Sequence, residues 1–175
     1  MISILRADTE EKLRAIEQIA RFIWQEHYIP IIGKEQVAYM LAKFQSTEVM
    51  INQLKEGYNY YSVVEHENAF HLSKPEEIQL IGYFSVKPET EALFISKFYL
   101  IDTSRGKGYA RKMLNFISER AAEQRLNKLR LTVNKHNTNT IAAYEKMGFV
   151  KKEAAVFDIG NGYVMDDFVM ELGLI

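Results

Sequence analysis

The segment 93–111, LFISKFYLIDTSRGKGYAR, constrains this chain more than any other. Leu93 to Ile101 is a run of β-branched and aromatic residues long enough for a buried strand. Further on, Tyr109, Met113, Phe116, Ile117 and Ala121 recur at helical spacing. Strand must therefore become helix within Arg105-Gly106-Lys107-Gly108-Tyr109-Ala110-Arg111. Gly106 and Gly108 allow a tight turn and close approach of the backbone to a ligand. The N–H groups of a helix's first turn lack intrahelical acceptors, and about half a positive charge gathers there. With Arg105, Lys107 and Arg111 around it, such a turn is an anion site, best suited to a diphosphate or a phosphorylated cofactor.

Two phosphate loops are excluded by their residues. Nothing matches GxxxxGK[ST], and in GxGxxG the third glycine position is held by Arg111. The net charge of −1 and pI near 6.4 give no reason to expect nucleic acid or an anionic membrane as the main partner. The absence of cysteine excludes disulfides, thiolate nucleophiles and cysteine metal sites. The four histidines (His27, His66, His71, His136) show no HxH or HExxH spacing, so no metal is expected. The N-terminal apolar run is too short for a signal peptide, and no stretch approaches ~18 apolar residues. A soluble cytoplasmic protein is the expectation. The 175 residues suit a single domain over 1–175 with a substantial core.

In chain order, Ile2 to Ala7 reads as a first strand. Thr9 or Asp8 then caps a helix with Glu10 and Glu11 in its first turn. Leu13, Ile16, Ala20, Ile23 and His27 form its stripe, and Pro30 is expected to stop it. Glu35 to Phe44 and Thr47 to Leu54 read as further helices, with Gly57 as terminator. Tyr58 to Glu65 and Ile78 to Lys87 are strand-like, joined by a polar segment around Lys74-Pro75-Glu76. Leu129 to Val133 is a strand, Thr138 to Met147 a short helix, and Gly148 to Phe157 and Tyr163 to Leu172 the last two strands. Gly160-Asn161-Gly162 is a hairpin turn. The order argues a mixed α/β domain with one central sheet and helices on its faces.

The loop also carries RxxGxA (Arg105, Gly108, Ala110), and Asn137 to Phe149 reads N-x-x-T-x-x-x-Y-x-x-x-G-F. Taken alone, the second stretch is a capped amphipathic helix, with Asn137 or Thr138 as cap, Ile141 and Tyr144 inward and Gly148 past its end. Together and at this spacing, the two stretches resemble the GNAT superfamily of acetyl-CoA-dependent N-acetyltransferases. Thr140 stands where that family has a small alanine. The resemblance is specific from about Glu91 to Phe149. It implies a central mixed, mostly antiparallel sheet, splayed at the cofactor site, with helices on both faces. Acetyl-CoA is then the acyl donor and no metal is needed. The pantetheine arm would pair with the backbone of Phe98, Tyr99 and Leu100. Arg105, Gly106, Lys107, Gly108, Tyr109, Ala110 and Arg111 would hold the pyrophosphate, Asn137 would contact the pantetheine, and Tyr144 would face the thioester sulfur.

The implied reaction is direct attack of an amine on the acetyl thioester. Backbone donors near Leu100 would polarise the carbonyl, and Tyr144, with an ordinary pKa near ~10, suits the general acid for the departing thiolate. The base is not assigned. Ser96 stands where many relatives carry glutamate, Glu91 lies at the strand's beginning, and Asp166 and Asp167 lie in the last strand on opposite faces. A water chain or deprotonation in bulk solvent stays open. Trp24 and Tyr28 before Pro30, with Tyr163 at the far end, are candidate acceptor-site residues through cation–π contacts; ordinary packing explains Trp24 and Tyr28 equally well. The terminal FDIGNGYVMDDFVMEL is similar to bacterial polyamine acetyltransferases, which implies a small diamine or polyamine acceptor. The alternatives are a protein or peptide N-acetyltransferase and a non-catalytic acyl-CoA sensor. A homodimer is the family-level expectation.

Overall fold

In the computed structural model, residues 1–67 and 78–174 are described. The segment around Lys74-Pro75-Glu76 and His71 lie outside them. The elements run β1 (Ile2–Arg6), α1 (Glu10–Ile32), α2 (Lys34–Phe44), α3 (Thr47–Lys55), β2 (Asn59–Glu65), β3 (Gln79–Pro88) and β4 (Leu93–Leu100). There follow α4 (Tyr109–Glu123), β5 (Lys128–Asn134), α5 (Thr138–Lys146), β6 (Val150–Gly160) and β7 (Tyr163–Gly173). The strands hydrogen-bond in the order β1-β2-β3-β4-β5-β7-β6, and the β4–β5 pairing is parallel. This is the mixed, mostly antiparallel sheet that the sequence implies. No helix among the described residues is long and apolar enough to cross a membrane.

The chain forms two compact units. One comprises Met1–Val86 and Lys97–Met113, the other Lys87–Ser96 and Leu114–Ile175. β4 and α4 each contribute residues to both.

In the first unit, α1 starts where Thr9 caps it, its hydroxyl accepting from the Lys12 N–H at 3.4 Å. Its stripe buries Leu13, Ile16, Ala20, Ile23 and Trp24. Pro30 does not stop the helix. In the last turn a proline costs one backbone hydrogen bond, and α1 runs on to Ile32. It ends at Gly33, whose φ is +86° and whose N–H closes on the Ile29 carbonyl at 3.0 Å. Ser46 caps α3, and Gly57, at φ +92°, follows its end. Tyr60 pairs with Ser85 and Ser62 with Tyr83, so these four share one face of β2 and β3. The α1–α3 layer lies on that face. Tyr83 donates to Gln45 at 3.0 Å, and Tyr60 donates to Gln53.

In the second unit, β7 pairs with β5 from Lys128↔Gly173 to Asn134↔Asp167, and with β6 along its other edge. β6 extends three residues beyond Phe157, because Gly160, Asn161 and Gly162, all at positive φ, delay the turn. α5 lies over the face that carries Phe168 and Leu172. Lys151 joins Glu145 of α5 at 3.1 Å and sits over the Phe168 ring, and a Cβ on Gly148 would meet Leu172 at 3.1 Å.

Candidate active site

Gly106 and Gly108 adopt φ of +75° and +78°, and a Cβ on either would meet nothing within 4 Å. The left-handed turn therefore needs glycine, while the space above it is open. After a short turn at Asp102–Ser104, α4 opens at Tyr109, and Lys112 donates to the Gly108 carbonyl at 3.3 Å. The cations at this helix start are exposed but steered. Arg105 binds Asp102 at 3.0 Å and the Leu100 carbonyl at 3.4 Å, while Lys107 lies 3.7 Å from Glu65. Glu65 also accepts from the Tyr109 hydroxyl, which holds its carboxyl below the usual range, and Lys107 adds to that effect. Glu65 carries no motif, so sequence alone did not single it out.

β4 delivers Phe98, Tyr99 and Leu100 to the start of this turn. Gly82 on β3 lets the strands close there: a Cβ at Gly82 would fall on the Tyr99 carbonyl oxygen and lie 2.7 Å from Leu100 Cδ2. Tyr99 stands in an aromatic cluster with Trp24 at 5.8 Å, Tyr28 at 6.3 Å and Tyr83 at 5.2 Å between ring centroids. Trp24 and Tyr28 are 4.5 Å apart. The structure thus brings the two helix-borne aromatics beside β4, where Trp24 is buried and Tyr28 and Tyr99 are half-buried.

Lys97, two residues before Tyr99, is 4% exposed. Its Nζ donates to Gln53 at 3.1 Å and lies 5.2 Å from the Tyr60 ring centroid. Burial pushes its amine down to about 7. The sequence signal was a lysine inside an apolar strand, which alternation alone could place on a covered or an open face.

In the second unit, Asn137 is buried at the N-cap of α5, where its carbonyl accepts from the Ile141 N–H at 3.0 Å and its side chain makes no capping bond. Tyr144 is 8% exposed, with its ring 5.6 Å from Phe149. Tyr163, half-buried, opens β7 at the hairpin. Asp166 and Asp167 differ in burial, as strand alternation requires. Asp166 pairs with Lys135, and Asp167 is 6% exposed. Burial pushes the Asp167 carboxyl up to about 6, opposed by a hydrogen bond from Thr132 and raised further by Asp166. Among the described residues no group of three or more His, Asp or Glu is placed to hold a metal ion.

The model of the acetyltransferase (GNAT) family matches residues 38–149. The chain belongs to that family. It is an acetyltransferase by family, and acetyl-CoA is the family's acyl donor. It is 42% identical over 62 residues to the uncharacterized N-acetyltransferase YdgE of Bacillus subtilis (strain 168), a stretch covering 35% of this chain and 39% of YdgE. The fold is that of the PaiA N-acetyltransferase from Thermoplasma acidophilum, solved in complex with coenzyme A, at TM-score 0.77 and 20% identity over 99% of both chains. The spermidine N-acetyltransferase from Vibrio cholerae, solved with CoA and spermine, has TM-score 0.65 and 17% identity over 98% of this chain and 95% of that one.

Proposed function

We propose that this acetyltransferase transfers the acetyl group of acetyl-CoA directly to a primary amine, and that the acceptor is a small diamine or polyamine. The observation that carries the donor half is the loop at the start of α4. Two left-handed glycines open the backbone there, the first-turn N–H groups gather, and Arg105, Lys107 and Arg111 stand exposed beside them. In this reading residues 105–111 hold the diphosphate. The backbone of Phe98, Tyr99 and Leu100 takes the pantetheine arm, with Asn137 as a further contact. Phosphate oxygens draw Arg105 and Lys107 from Asp102 and Glu65, a low-cost exchange because Arg105, Asp102 and Lys107 are exposed and Glu65 is only half-buried.

Attack by the amine nitrogen on the thioester carbonyl gives a tetrahedral intermediate, and the C–S bond then breaks. Tyr144 gives its hydroxyl proton to the departing thiolate. Trp24, Tyr28 and Tyr163 contact the acceptor. The terminal sequence pattern and the spermine-bound fold relative support the amine class. The experiment is a panel of primary amines, from 1,4-diaminobutane to spermidine and N-terminal peptides, incubated with acetyl-CoA while free thiol and acetylated product are counted. Thiol and product in equal amounts with diamines or polyamines support the reading. Turnover with peptides alone overturns the acceptor class, and no turnover with any amine overturns the reaction.

A further inference from the structure

β5 is paired unequally along its two edges. Toward β7 the ladder runs its whole length, to Asn134↔Asp167. Toward β4 it covers only Leu93↔Leu129, Phe94↔Arg130 and Ile95↔Leu131. Among the described residues, Thr132 to Asn134 therefore have no strand partner on that edge. A bare strand edge is where an extended ligand can add as a further strand.

Asp167 sits across the ladder from this bare stretch. Cross-strand partners share a face, so Arg130 with Glu171, Thr132 with Val169 and Asn134 with Asp167 line the face away from Phe168 and Leu172. Two carboxylates on that face are treated differently. Glu171 is neutralised, with Arg130 at 3.0 Å and Lys128 at 3.6 Å. Asp167 is 6% exposed, and among the described residues no cation lies within ion-pair distance of it. The nearest charges are Lys135, which is paired to Asp166, and Asp166 itself. Thr132, on the bare stretch and on the same face, favours the ionised form of Asp167. A buried carboxyl without a cation costs stability, and such groups are retained where chemistry uses them.

We infer that Asp167 is the proton acceptor of the transfer reaction, set on the same face as Thr132 beside the bare edge of β5. This rests on the proposed reaction and supplies the base that the sequence left unassigned. The amine nitrogen forms its bond to the acyl carbon and becomes cationic. The Asp167 carboxylate takes one of its protons as the intermediate collapses. The C–S bonding pair leaves with the thiolate, which is protonated by Tyr144, and solvent then returns a proton from Asp167 to Tyr144. The products are the N-acetyl amine and the CoA thiol. A carboxyl titrating near 6 is ionised at neutral pH and takes up a proton more readily than an exposed aspartate does.

The test is Asp167→Asn, which can keep an oxygen for Thr132 but cannot accept the proton. Acetyl-CoA affinity is measured by calorimetry, and kcat/KM is followed from pH 5 to 9 with 1,4-diaminobutane and spermidine. For an amine reacting in its neutral form, log kcat/KM of the wild type rises with slope 2 below about pH 6 and slope 1 above it. The variant is expected to bind acetyl-CoA within twofold of wild type, to lose about 100-fold or more in kcat, and to show slope 1 throughout. A folded variant with kcat within fivefold of wild type, or one that keeps the break near pH 6, overturns the assignment. A wild type that binds acetyl-CoA but acetylates neither amine also overturns it, whereas failure to bind acetyl-CoA at all strikes the proposed function itself.

Discussion

Replacing Lys97 by methionine should stabilise the protein at neutral pH. The methionine fills nearly the same space without an amine that must be desolvated. Burial brings the Lys97 amine from an ordinary 10.5 to about 7. That difference corresponds to about 5 kcal/mol of penalty on the charged form, an upper bound for a single buried group. The substitution also removes the hydrogen bond to Gln53 and the contact with the Tyr60 ring, each worth ~1 kcal/mol. Gln53 still accepts from Tyr60, so no acceptor is left bare. The net gain is about 2–3 kcal/mol at pH 7, or roughly 5–10 °C in melting temperature for a chain of this size. The sign depends on pH. Because the folded-state pKa lies below the unfolded one, the unfolded chain holds the extra proton between pH ~7 and ~10.5, and the wild type gains stability as pH rises through that window. The advantage of Lys97→Met should therefore shrink from pH 7 upward and vanish or reverse by about 1 kcal/mol near pH 10. Urea denaturation of both proteins at pH 7, 8.5 and 10 reads this directly. A variant destabilised by more than ~1 kcal/mol at pH 7, or a stability difference that does not move with pH, refutes the reasoning.

Asp167→Asn is expected to raise stability at pH 8 while lowering turnover. The folded carboxyl titrates near 6 against an ordinary 3.8, so the folded state loses up to about 3 kcal/mol as pH rises through that interval; a variant less stable than wild type at pH 8 by chemical denaturation contradicts this. Tyr144→Phe should lower kcat about 10- to 100-fold and leave acetyl-CoA affinity unchanged in a calorimetric titration; unchanged kcat removes Tyr144 from the mechanism. Gly82→Ala drives a methyl group into the Tyr99 carbonyl and Leu100, so it should cost ~2 kcal/mol or more in stability and raise KM for acetyl-CoA, both absent if β3 has room to shift.

Motifs made the strand-turn-helix of residues 93–123 and the helix after Asn137 readable, because glycines, caps and apolar periodicity each reported the same local structure. Pro30 misled because a proline in a last turn sacrifices one bond that α1 tolerates. The turn at residues 160–162 is legible in its glycines, but the β6 ladder runs up to it, through Asp158↔Val164 and Gly160↔Tyr163, and not only to Phe157. The burial of the Asp167 carboxyl and of the Lys97 amine was not readable. Strand parity puts Lys97 with Tyr99, and Asp167 with Val169, but burial depends on which helices cover the face. Glu65 reaches Tyr109 and Lys107 only through the tertiary fold, 44 residues away from Tyr109 in sequence. Gln53 likewise meets Lys97 across 44 residues.

The donor site is the centre of this account, and acetyl-CoA binding to wild type and to an Arg105→Ala, Lys107→Ala, Arg111→Ala triple variant tests it most directly. At ~100 times its dissociation constant, acetyl-CoA should stabilise the wild type by about 2.7 kcal/mol, a rise of roughly 5–10 °C. The triple variant should melt like the wild type without ligand and lose most of that rise. A folded wild type whose melting temperature does not move at saturating acetyl-CoA, or a triple variant that keeps the full shift, contradicts a diphosphate held by residues 105–111.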